Sequence, residues 1–576
     1  MTDGNTKRRA LLITYNAAHF RELFRLAYTL HQSGSYLPLM LFVSPYPGLK
    51  KHYWQCLYSG FSAKIRGQHI EKKPSRLLMS IGLVPSALYN MLRFVSRKVI
   101  PRSVRTLLLP IYRTLGRHYR AYIEQIKDQL LCMRNNILSR IRSSDALLVH
   151  TLRALKERYY ARQTCRALAP DIVILAEDNV EYLSGAWIRA AHENQVPVVI
   201  VPYCLAGIEE PAAVYVKDIK HHADTPDNIR FAQRFPHWVY EYQGRRLVRL
   251  PARRALPLEW LRISSPLPWV MNGSYADAIA VESQFMRDFY KRQGLPPKQF
   301  VVTGAVSDDI LYGSLRDSHN QRRQLYRQFG MQEDKPMLLC ALPPVTSAMD
   351  NLREEFRSYE EMIRFWVECL AQVDGYNIFI SLHPTMERLQ FQLLEEAGWW
   401  GMAIAPPDTA RMIAICDLYI ASVSSTIRWA IACGKPVINY DVYRFRFPDF
   451  RPARGVVTVE TREGFTAALQ RITTDPLYYE SLRQAQLQCS NYWGIIDGQS
   501  SKRLLELFDR LILEYQSTKG PSKIPILQRL LQHSFGKTIR KSAQPSGGVL
   551  GRENIGTNSC SRRIGFYTQE EPSNTR

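Results

Sequence analysis

Four hydroxyl side chains stand together in the C-terminal half of the sequence, between an apolar run that ends at Ala421 and a helical pattern. They are Ser422, Ser424, Ser425 and Thr426. Hydroxyl groups at such a position can cap the helix, while the free backbone N–H groups of its first turn face an anion. Because a cap needs only one hydroxyl, the run of four favours phosphate binding as strongly as plain capping.

A second candidate is His383, which follows the predicted strand 377–382 and is itself followed by Pro384. A histidine whose backbone is stiffened by the next proline can donate a hydrogen bond to a phosphate or leaving-group oxygen. When protonated it also offsets the negative charge of that group. The alternative is a histidine with a purely structural role.

A third candidate lies in the N-terminal half, where Glu177, Asp178 and Asn179 follow the predicted strand 171–176. A carboxylate at the end of a strand could take a proton from an acceptor hydroxyl as a general base. Helix capping by Asp178 or Asn179, or an ordinary surface turn, would explain the same residues.

The elements that must position these residues alternate between apolar strands and amphipathic helices, which is typical of an α/β fold. The order predicts two doubly wound, Rossmann-like domains that face a cleft. The predicted N-terminal domain covers 1–310 and the C-terminal domain 335–516, with a connection at 305–335. Since ligands bind beyond the carboxyl ends of parallel strands, a base from one half would face a phosphate site from the other. That layout suits transfer of a group from a nucleotide donor to a hydroxyl.

The chain of 576 residues has a formal net charge of +24, which favours contact with polyanions. Residues 72–142 mix many Lys and Arg with large apolar residues and are predicted to form a basic helical insertion. Such amphipathic helices suit the interface of an anionic membrane, and a solvated basic face packed on its own domain is an equal alternative. The tail 517–576 is rich in polar and basic residues and is predicted to be disordered.

The ten cysteines form no CxxC pair, and several lie in apolar runs, which indicates free thiols in a reducing compartment. The apolar run after the basic N-terminus is too short for a signal peptide. No window approaches the roughly 20 apolar residues that span a bilayer. We therefore expect a cytoplasmic protein, with the insertion able to hold it at the inner face of the membrane.

The C-terminal half resembles GT-B-fold transferases of bacterial surface polysaccharides over roughly 335–515. The motifs that carry the resemblance are His383-Pro384, the stretch 417–426, Gly434-Lys435-Pro436, and the segment from Asp497 to Arg503. The sequence is most similar to bacterial sialyl- and polysialyltransferases, capsule Kdo transferases and CDP-glycerol glycerophosphotransferases. In the sialyltransferase-like members, a His-Pro motif and a Ser-Ser/Thr motif contact the phosphate of a CMP-sugar, and an acidic motif supplies the base.

The resemblance implies that His383, Ser424 and Ser425 hold the donor phosphate. It implies that either Glu177 or Asp178 is the base, with Asn179 standing where the family has glycine. It also implies an inverting reaction without a metal or other cofactor, and with a nucleotide sugar as co-substrate.

The main hypothesis is a glycosyltransferase that acts on a surface glycan or lipid-linked acceptor. A CDP-glycerol-type phosphotransferase and a UDP-N-acetylglucosamine 2-epimerase share the fold, although the epimerases usually have Ser-Gly-Gly where this chain has Ser424-Ser425-Thr426. A nucleic-acid-binding protein is disfavoured because the basic residues alternate with large apolar ones and no recognition motif is present. A non-catalytic scaffold is disfavoured because the histidine and both carboxylates are present.

Overall fold

The computed structural model describes residues 7–46, 48–66, 146–345, 352, 354–383, 386–398, 401–447 and 449–517. The predicted basic insertion at 72–142, the predicted disordered tail from 518 onward and Pro384 lie outside the described residues.

The first sheet has seven parallel strands in the order β3-β2-β1-β4-β5-β8-β9. A separate antiparallel hairpin, β6-β7, lies between β5 and β8 in sequence. The bounds are β1 Arg8–Thr14, β2 Tyr36–Phe42, β3 Ser62–Ile65, β4 Ile172–Leu175, β5 Val198–Ile200, β6 Val239–Tyr242, β7 Arg245–Val248, β8 Ala278–Val281 and β9 Phe300–Val302.

The second sheet has six parallel strands in the order β12-β11-β10-β13-β14-β15. The bounds are β10 Met337–Ala341, β11 Asn377–Ser381, β12 Ala403–Ile404, β13 Leu418–Ala421, β14 Val437–Tyr440 and β15 Val456–Val459.

Helices cover both faces of each sheet. The helices that come before β10 are α1 Ala17–Gln32, α2 Leu49–Tyr58, α3 Leu147–Leu168, α4 Ser184–Glu193, α5 Glu209–Tyr215, α6 Ile229–Arg234, α7 Ala252–Trp260, α8 Gln284–Arg292, α9 Val306–Arg316 and α10 Ser318–Phe329. The helices that follow β10 are α11 Tyr359–Ala371, α12 Glu387–Ala397, α13 Thr409–Ile415, α14 Ile427–Ala432, α15 Arg462–Thr474, α16 Pro476–Trp493 and α17 Ser500–Ser517.

The central strands are unbroken apolar runs because helices bury both of their faces. Every residue of β4 is buried, and side chains of alternating position enter two separate cores, with Ile172 and Ile174 on one face and Val173 and Leu175 on the other. This burial confirms the prediction of two doubly wound parallel sheets, the α/β class expected of a GT-B arrangement.

The last described helix, α17, returns from the second half to the first. Its apolar residues Leu504, Leu507 and Phe508 pack into the core of the first sheet, beside α1. The predicted C-terminal domain at 335–516 therefore includes a helix whose apolar face belongs to the core of the other half.

Strand order also fixes where a ligand site is expected. In each sheet the chain moves outward in opposite directions from two adjacent strands, which are β1 and β4 in the first and β10 and β13 in the second. The crevice beyond the carboxyl ends of such a pair is the usual ligand site of a doubly wound sheet.

Among the described residues, no helix combines the length and apolar character that crossing a membrane requires.

Candidate active site

A cavity of about 410 Å³ lies between the carboxyl edges of the two sheets, and we call it the interdomain cavity. The first half contributes the residues after β5, β8 and β9, including Tyr203 and Glu282. The second half contributes the turn after β13, through Val423 and Ser425, and the segment after β14. The cavity thus joins the two halves at the edge where the sequence predicted a cleft.

The predicted acidic pair lies directly after β4, at the point where the first sheet reverses direction. Both side chains are buried, with 2% of Glu177 and 4% of Asp178 exposed. Glu177 Oε2 and Asp178 Oδ2 have no hydrogen-bond partner among the described residues. Because buried polar atoms in native proteins are almost always paired, two such oxygens at a strand end indicate a functional site.

Asp178 is held firmly although one of its carboxyl oxygens lacks a partner. Its backbone N–H donates to Asn272 Oδ1 at 2.8 Å, and its carbonyl accepts from the N–H of Asn272 at 2.9 Å. Ser184 Oγ donates to Asp178 Oδ1. Burial raises the pKa of Asp178 to about 6, against the hydrogen bond from Ser184 and the contacts with the Ser274 backbone and side chain, which lower it.

Asp178 lines a second cavity, of about 260 Å³, which we call the Asp178 cavity. Glu210 and Val214 line both this cavity and the interdomain cavity, so the two spaces are neighbours. Glu177 lines neither of them. Of the two candidate bases, Asp178 is therefore the one that faces open space.

Glu177 instead faces His19, a residue that the sequence analysis did not select. His19 is fully buried at the start of α1, and its Nε2 lies 3.5 Å from Glu177 Oε1. The rings of Tyr15, Tyr182 and Tyr203 surround the imidazole, with centroids 5.0 to 5.9 Å away. No local pattern marked His19, because its partner is 158 residues further along the chain and only the pairing of β1 with β4 brings them together.

The four predicted hydroxyl residues lie in the turn from β13 to α14, and they do not act alike. Ser424 Oγ and Thr426 Oγ1 are 2.7 Å apart, and Tyr419 Oη is 2.6 Å from Thr426 Oγ1, so these hydroxyls bond to one another. Ser422 Oγ is buried without a partner among the described residues. Only Ser425 of the four is exposed and lines the interdomain cavity.

The backbone N–H groups of the same turn also fall into two sets, those bonded within the turn and those without an acceptor in the described part of the chain. Those of Thr426, Ile427 and Arg428 bond back to Ser424 or Ser425. Those of Ser424 and Ser425 have no acceptor among the described residues. Ser425 lines the cavity, and the N–H groups of Ser424 and Ser425 are donors of the same turn that have no acceptor among the described residues.

Val423 places that turn under strain. Its φ of 43° is in the left-handed region, which β-branched residues rarely adopt. Asn439 Oδ1 accepts from the Val423 N–H at 2.8 Å and stabilises this conformation. Backbone strain of this kind concentrates at functional sites, where surrounding contacts hold it in place.

His383 follows β11, which is separated from β13 by β10 alone. Its side chain is half-buried and does not line the interdomain cavity. Burial lowers the pKa of His383, and the nearby charge of Arg21 on α1 lowers it further. A lower pKa favours the neutral imidazole, which can donate one hydrogen bond.

A buried ion cluster crosses from the second half to the first, and the sequence analysis did not anticipate it. Arg428 Nε contacts Glu282 Oε1 at 2.5 Å, and Arg428 Nη1 donates to Asp308 Oδ1 at 3.1 Å. All three side chains are at least nine-tenths buried. Burial raises the pKa of Glu282 to about 8, against the opposing charge of Arg428. With a proton on Glu282, the positive charge of Arg428 balances the single negative charge of Asp308.

Aromatic rings cover the wall of the interdomain cavity on the side of the second half. They come from α14, from the segment after β14 and from the end of α16, and they are Trp429, Phe445, Phe447, Phe450 and Trp493. The rings of Phe445 and Phe447 stack with centroids 5.1 Å apart. Flat apolar faces beside a few polar groups suit a nucleobase or a sugar ring.

Two further carboxyl groups, Glu210 and Asp449, line the interdomain cavity from opposite halves. Burial raises the pKa of Glu210 to about 7 and that of Asp449 to about 6.

Among the described residues, no cluster of three or more His, Cys, Asp or Glu side chains is arranged to hold a metal ion.

No protein-family model matches the sequence, and no curated protein does. Solved structures with a similar fold include a UDP-GlcNAc 2-epimerase from Neisseria meningitidis bound to UDP-GlcNAc. It is 11% identical, and the alignment covers 87% of this chain and 100% of that one with a TM-score of 0.46.

A glycosyltransferase from Rickettsia africae is 10% identical, over 88% of this chain and 99% of that one, with a TM-score of 0.41. The wall teichoic acid polymerase TagF is 16% identical, over 42% of this chain and 59% of that one, with a TM-score of 0.32. Likenesses this distant carry no argument about substrate or reaction.

Proposed function

We propose that the protein is a glycosyltransferase that moves a sugar from a nucleotide-activated donor to a hydroxyl of a surface glycan or lipid-linked acceptor. The observation that carries the proposal is the pairing of two features across neighbouring cavities. One is Asp178, a buried carboxyl group with an unpaired oxygen, and the other is the group of open donors at Ser424 and Ser425.

The donor lies in the interdomain cavity under this proposal. The N–H groups of Ser424 and Ser425 and the Ser425 hydroxyl donate to its phosphate, and the aromatic wall stacks on its base or sugar. His383 follows β11 in the same sheet, outside the lining of the interdomain cavity, and its proposed role is a further hydrogen bond to a phosphate or leaving-group oxygen. Thr426 holds the turn in shape through its bonds to Ser424 and Tyr419.

The transfer step uses Asp178 as the general base. An acceptor hydroxyl attacks the anomeric carbon while its proton passes to Asp178 Oδ2, and the bond from that carbon to the donor phosphate oxygen breaks. The electron pair leaves on the nucleotide, whose phosphate gains negative charge next to the open N–H donors. Attack from the side opposite the leaving group inverts the anomeric centre.

A CMP-sugar is the donor that we favour, because the His-Pro and Ser-Ser motifs resemble those of sialyl- and Kdo-transferases. The chain provides these groups from its own residues, and the step as written needs no metal or additional cofactor. An anionic membrane is a proposed partner of the basic segment 72–142, at the cytoplasmic face. No nucleic acid is expected as a partner.

Thermal unfolding of the full-length protein with CMP, CDP, UDP, GDP and ADP tests the donor assignment, because a ligand that binds only the folded state raises the melting temperature. We expect selective stabilisation by CMP that weakens in Ser425→Ala and in His383→Ala. Stabilisation by CDP alone would favour a glycerol phosphate donor. UDP alone would favour a hexose transferase or an epimerase, which product analysis separates.

No shift with any nucleotide would remove the donor-site assignment and favour a nucleic-acid-binding or non-catalytic protein. Filter binding to DNA and RNA across a salt series then distinguishes those two, since phosphate contacts make affinity steeply salt-dependent.

A further inference from the structure

A third cavity, of about 230 Å³, lies at the carboxyl edge of the first sheet and carries an excess of cations. It is lined by residues that follow β2, β3 and β4 and by one face of α3. We call it the basic cavity, after its three cationic residues Arg66, Arg153 and Lys156. Two carboxylates, Glu157 and Glu181, also line it.

The carboxylate of Glu157 is already neutralised. Only 6% of this residue is exposed, and Arg66 Nη1 donates to its Oε2. Trp187 Nε1 donates to the other oxygen at 2.9 Å. The charge of Arg66 is therefore balanced by Glu157 and adds little to the electrostatic field of the cavity.

Glu181 is neutralised from outside the basic cavity. Arg249 Nη1 lies 2.5 Å from Glu181 Oε1, and Tyr215 Oη donates to the same oxygen. Burial raises the pKa of Glu181, but the charge and hydrogen bond of Arg249 outweigh it and leave the pKa below its ordinary value. Arg249 lines the Asp178 cavity and not the basic cavity.

Among the described residues that line the basic cavity, Arg153 and Lys156 are therefore the two cations whose charge no carboxylate balances. They lie three residues apart on α3, on the face that also carries Glu157. Both side chains are exposed, and neither forms an ion pair with a carboxylate of the described residues. Two uncompensated cations at the mouth of a small cavity favour an anionic ligand.

The basic cavity and the Asp178 cavity share a wall. Glu181 lines both, and the Asp178 cavity in turn shares Glu210 and Val214 with the interdomain cavity. The three spaces therefore follow one another along the carboxyl edge of the first sheet, with Asp178 in the middle one. A ligand anchored in the basic cavity would therefore lie one shared wall residue, Glu181, away from the cavity that Asp178 lines.

We propose that the acceptor is an extended glycan with an anionic group, a phosphate or a carboxylate, that binds Arg153 and Lys156 in the basic cavity. Anchoring at this end places an acceptor hydroxyl beside Asp178. The inference rests on the proposed function for the role of Asp178, but the binding itself does not depend on donor or turnover.

Equilibrium titration of the full-length protein with three oligosaccharides tests the proposal. The probes are mannopentaose as the neutral glycan, pentamannose 6-phosphate for the phosphate and α-2,8-linked tetrasialic acid for the carboxylate. We expect one anionic probe to bind at least about tenfold more tightly than mannopentaose, as expected for two charge-assisted contacts. The probe that does so identifies the anion.

The double variant Arg153→Gln/Lys156→Gln should lose this preference. A matched control is Arg158→Gln/Arg162→Gln, which removes the same charge from the same helix at residues that contact Glu193 and do not line the basic cavity. The control should keep the preference. This comparison separates the basic cavity from the general attraction of a chain with a net charge of +24.

Equal binding of neutral and anionic probes, or a preference lost equally in both double variants, would overturn the proposal. Nucleotide-induced stabilisation, measured on the same samples, reports separately on the donor site. If nucleotides stabilise every variant while no anionic probe is preferred, the anionic acceptor is wrong and the transferase assignment stands. An anionic preference without any nucleotide effect would overturn the transferase assignment instead.

Discussion

At the scale of single residues, Asp178 combines three properties that a general base needs. It lines a cavity, its backbone is held on both sides by Asn272, and its pKa is raised to about 6 by burial. A base with a pKa near the working pH is largely ionised there and still takes a proton readily. Glu177 is as deeply buried as Asp178, but its carboxylate faces His19 instead of a cavity.

Replacement of Asp178 by Asn should therefore lower turnover by roughly 10²- to 10⁴-fold, the usual contribution of general base catalysis. Nucleotide binding should be retained, because the donor contacts lie in the other half. Steady-state kinetics of Asp178→Asn against Glu177→Gln checks this. Full turnover in Asp178→Asn with loss in Glu177→Gln would transfer the role of base to Glu177.

The same substitution should make the fold more stable above pH 6. The ordinary pKa of an aspartate is 3.8 and the folded value is about 6, so the folded state binds more protons between those pH values. Stability of the wild type consequently falls as pH rises through this window, whereas Asn carries no such penalty. Melting temperatures from pH 4 to 8 should diverge in favour of Asp178→Asn, and parallel curves would contradict the raised pKa.

Ser424 and Ser425 should respond differently to the same change. Ser425 lines the interdomain cavity, so Ser425→Ala should weaken nucleotide binding by roughly fivefold, the value of about one hydrogen bond. Ser424 bonds to Thr426 within the turn, so Ser424→Ala should lower stability by about 1 kcal/mol. Calorimetric titration and thermal unfolding of both variants separate the two roles, and identical effects would contradict the geometry.

At the scale of elements, the cluster of Arg428, Glu282 and Asp308 fixes α14 against the first half. Its balance of charge depends on a proton at Glu282, whose pKa burial raises to about 8. An ordinary glutamate has a pKa of 4.5, so the wild-type fold loses stability as pH rises from there toward 8. Glu282→Gln mimics the protonated form and should gain in melting temperature over the wild type across that range.

Arg428→Met is the contrasting variant, because it leaves two buried carboxyl groups without their cation. Breaking a buried ion pair by removing one partner costs about 3–5 kcal/mol. Denaturant unfolding at pH 7 compares the two variants. A loss in Glu282→Gln as large as that in Arg428→Met would show that Glu282 is ionised and that the shared-proton account is wrong.

Helix α17 connects the end of the described chain to the first core. Phe508 is fully buried there, so Phe508→Ala should destabilise the protein by about 3–5 kcal/mol through the lost apolar burial and the cavity left behind. Leu513 on the same helix is 55% exposed, and Leu513→Ala should change stability by less than about 0.5 kcal/mol. Equal effects in denaturant unfolding would contradict the placement of α17.

At the scale of the whole molecule, the sequence predicted the two sheets because their central strands are buried on both faces. Every residue is apolar in stretches such as 172–176 and 418–421, as strands buried on both faces require. The short edge strand β3, with its exposed and half-buried residues, gave no such signal. The predicted connection at 305–335 instead contains the helices α9 and α10.

The sequence predicted only those residues of the candidate site that have a reactive or polar side chain and lie close to the end of a strand. Glu177, Asp178, Ser425 and His383 each lie within four residues of the end of a strand. Contacts between the halves were not predictable: Arg428 pairs with Asp308, which is 120 residues away, and each has an ordinary local sequence. Likewise, the orientation of Ser424 away from the cavity depends on Tyr419 and Thr426 and not on residue type.

The central claim is that sugar transfer joins the donor group at Ser424 and Ser425 to the base at Asp178. The most direct test is release of CMP from CMP-N-acetylneuraminate and from CMP-Kdo by the wild type and by Asp178→Asn, with a glycan acceptor present. We predict that the wild type consumes at least one of the two donors and transfers its sugar, and that Asp178→Asn binds this donor but releases almost no CMP. Equal release by both proteins, or binding of neither donor by the wild type, would contradict the claim.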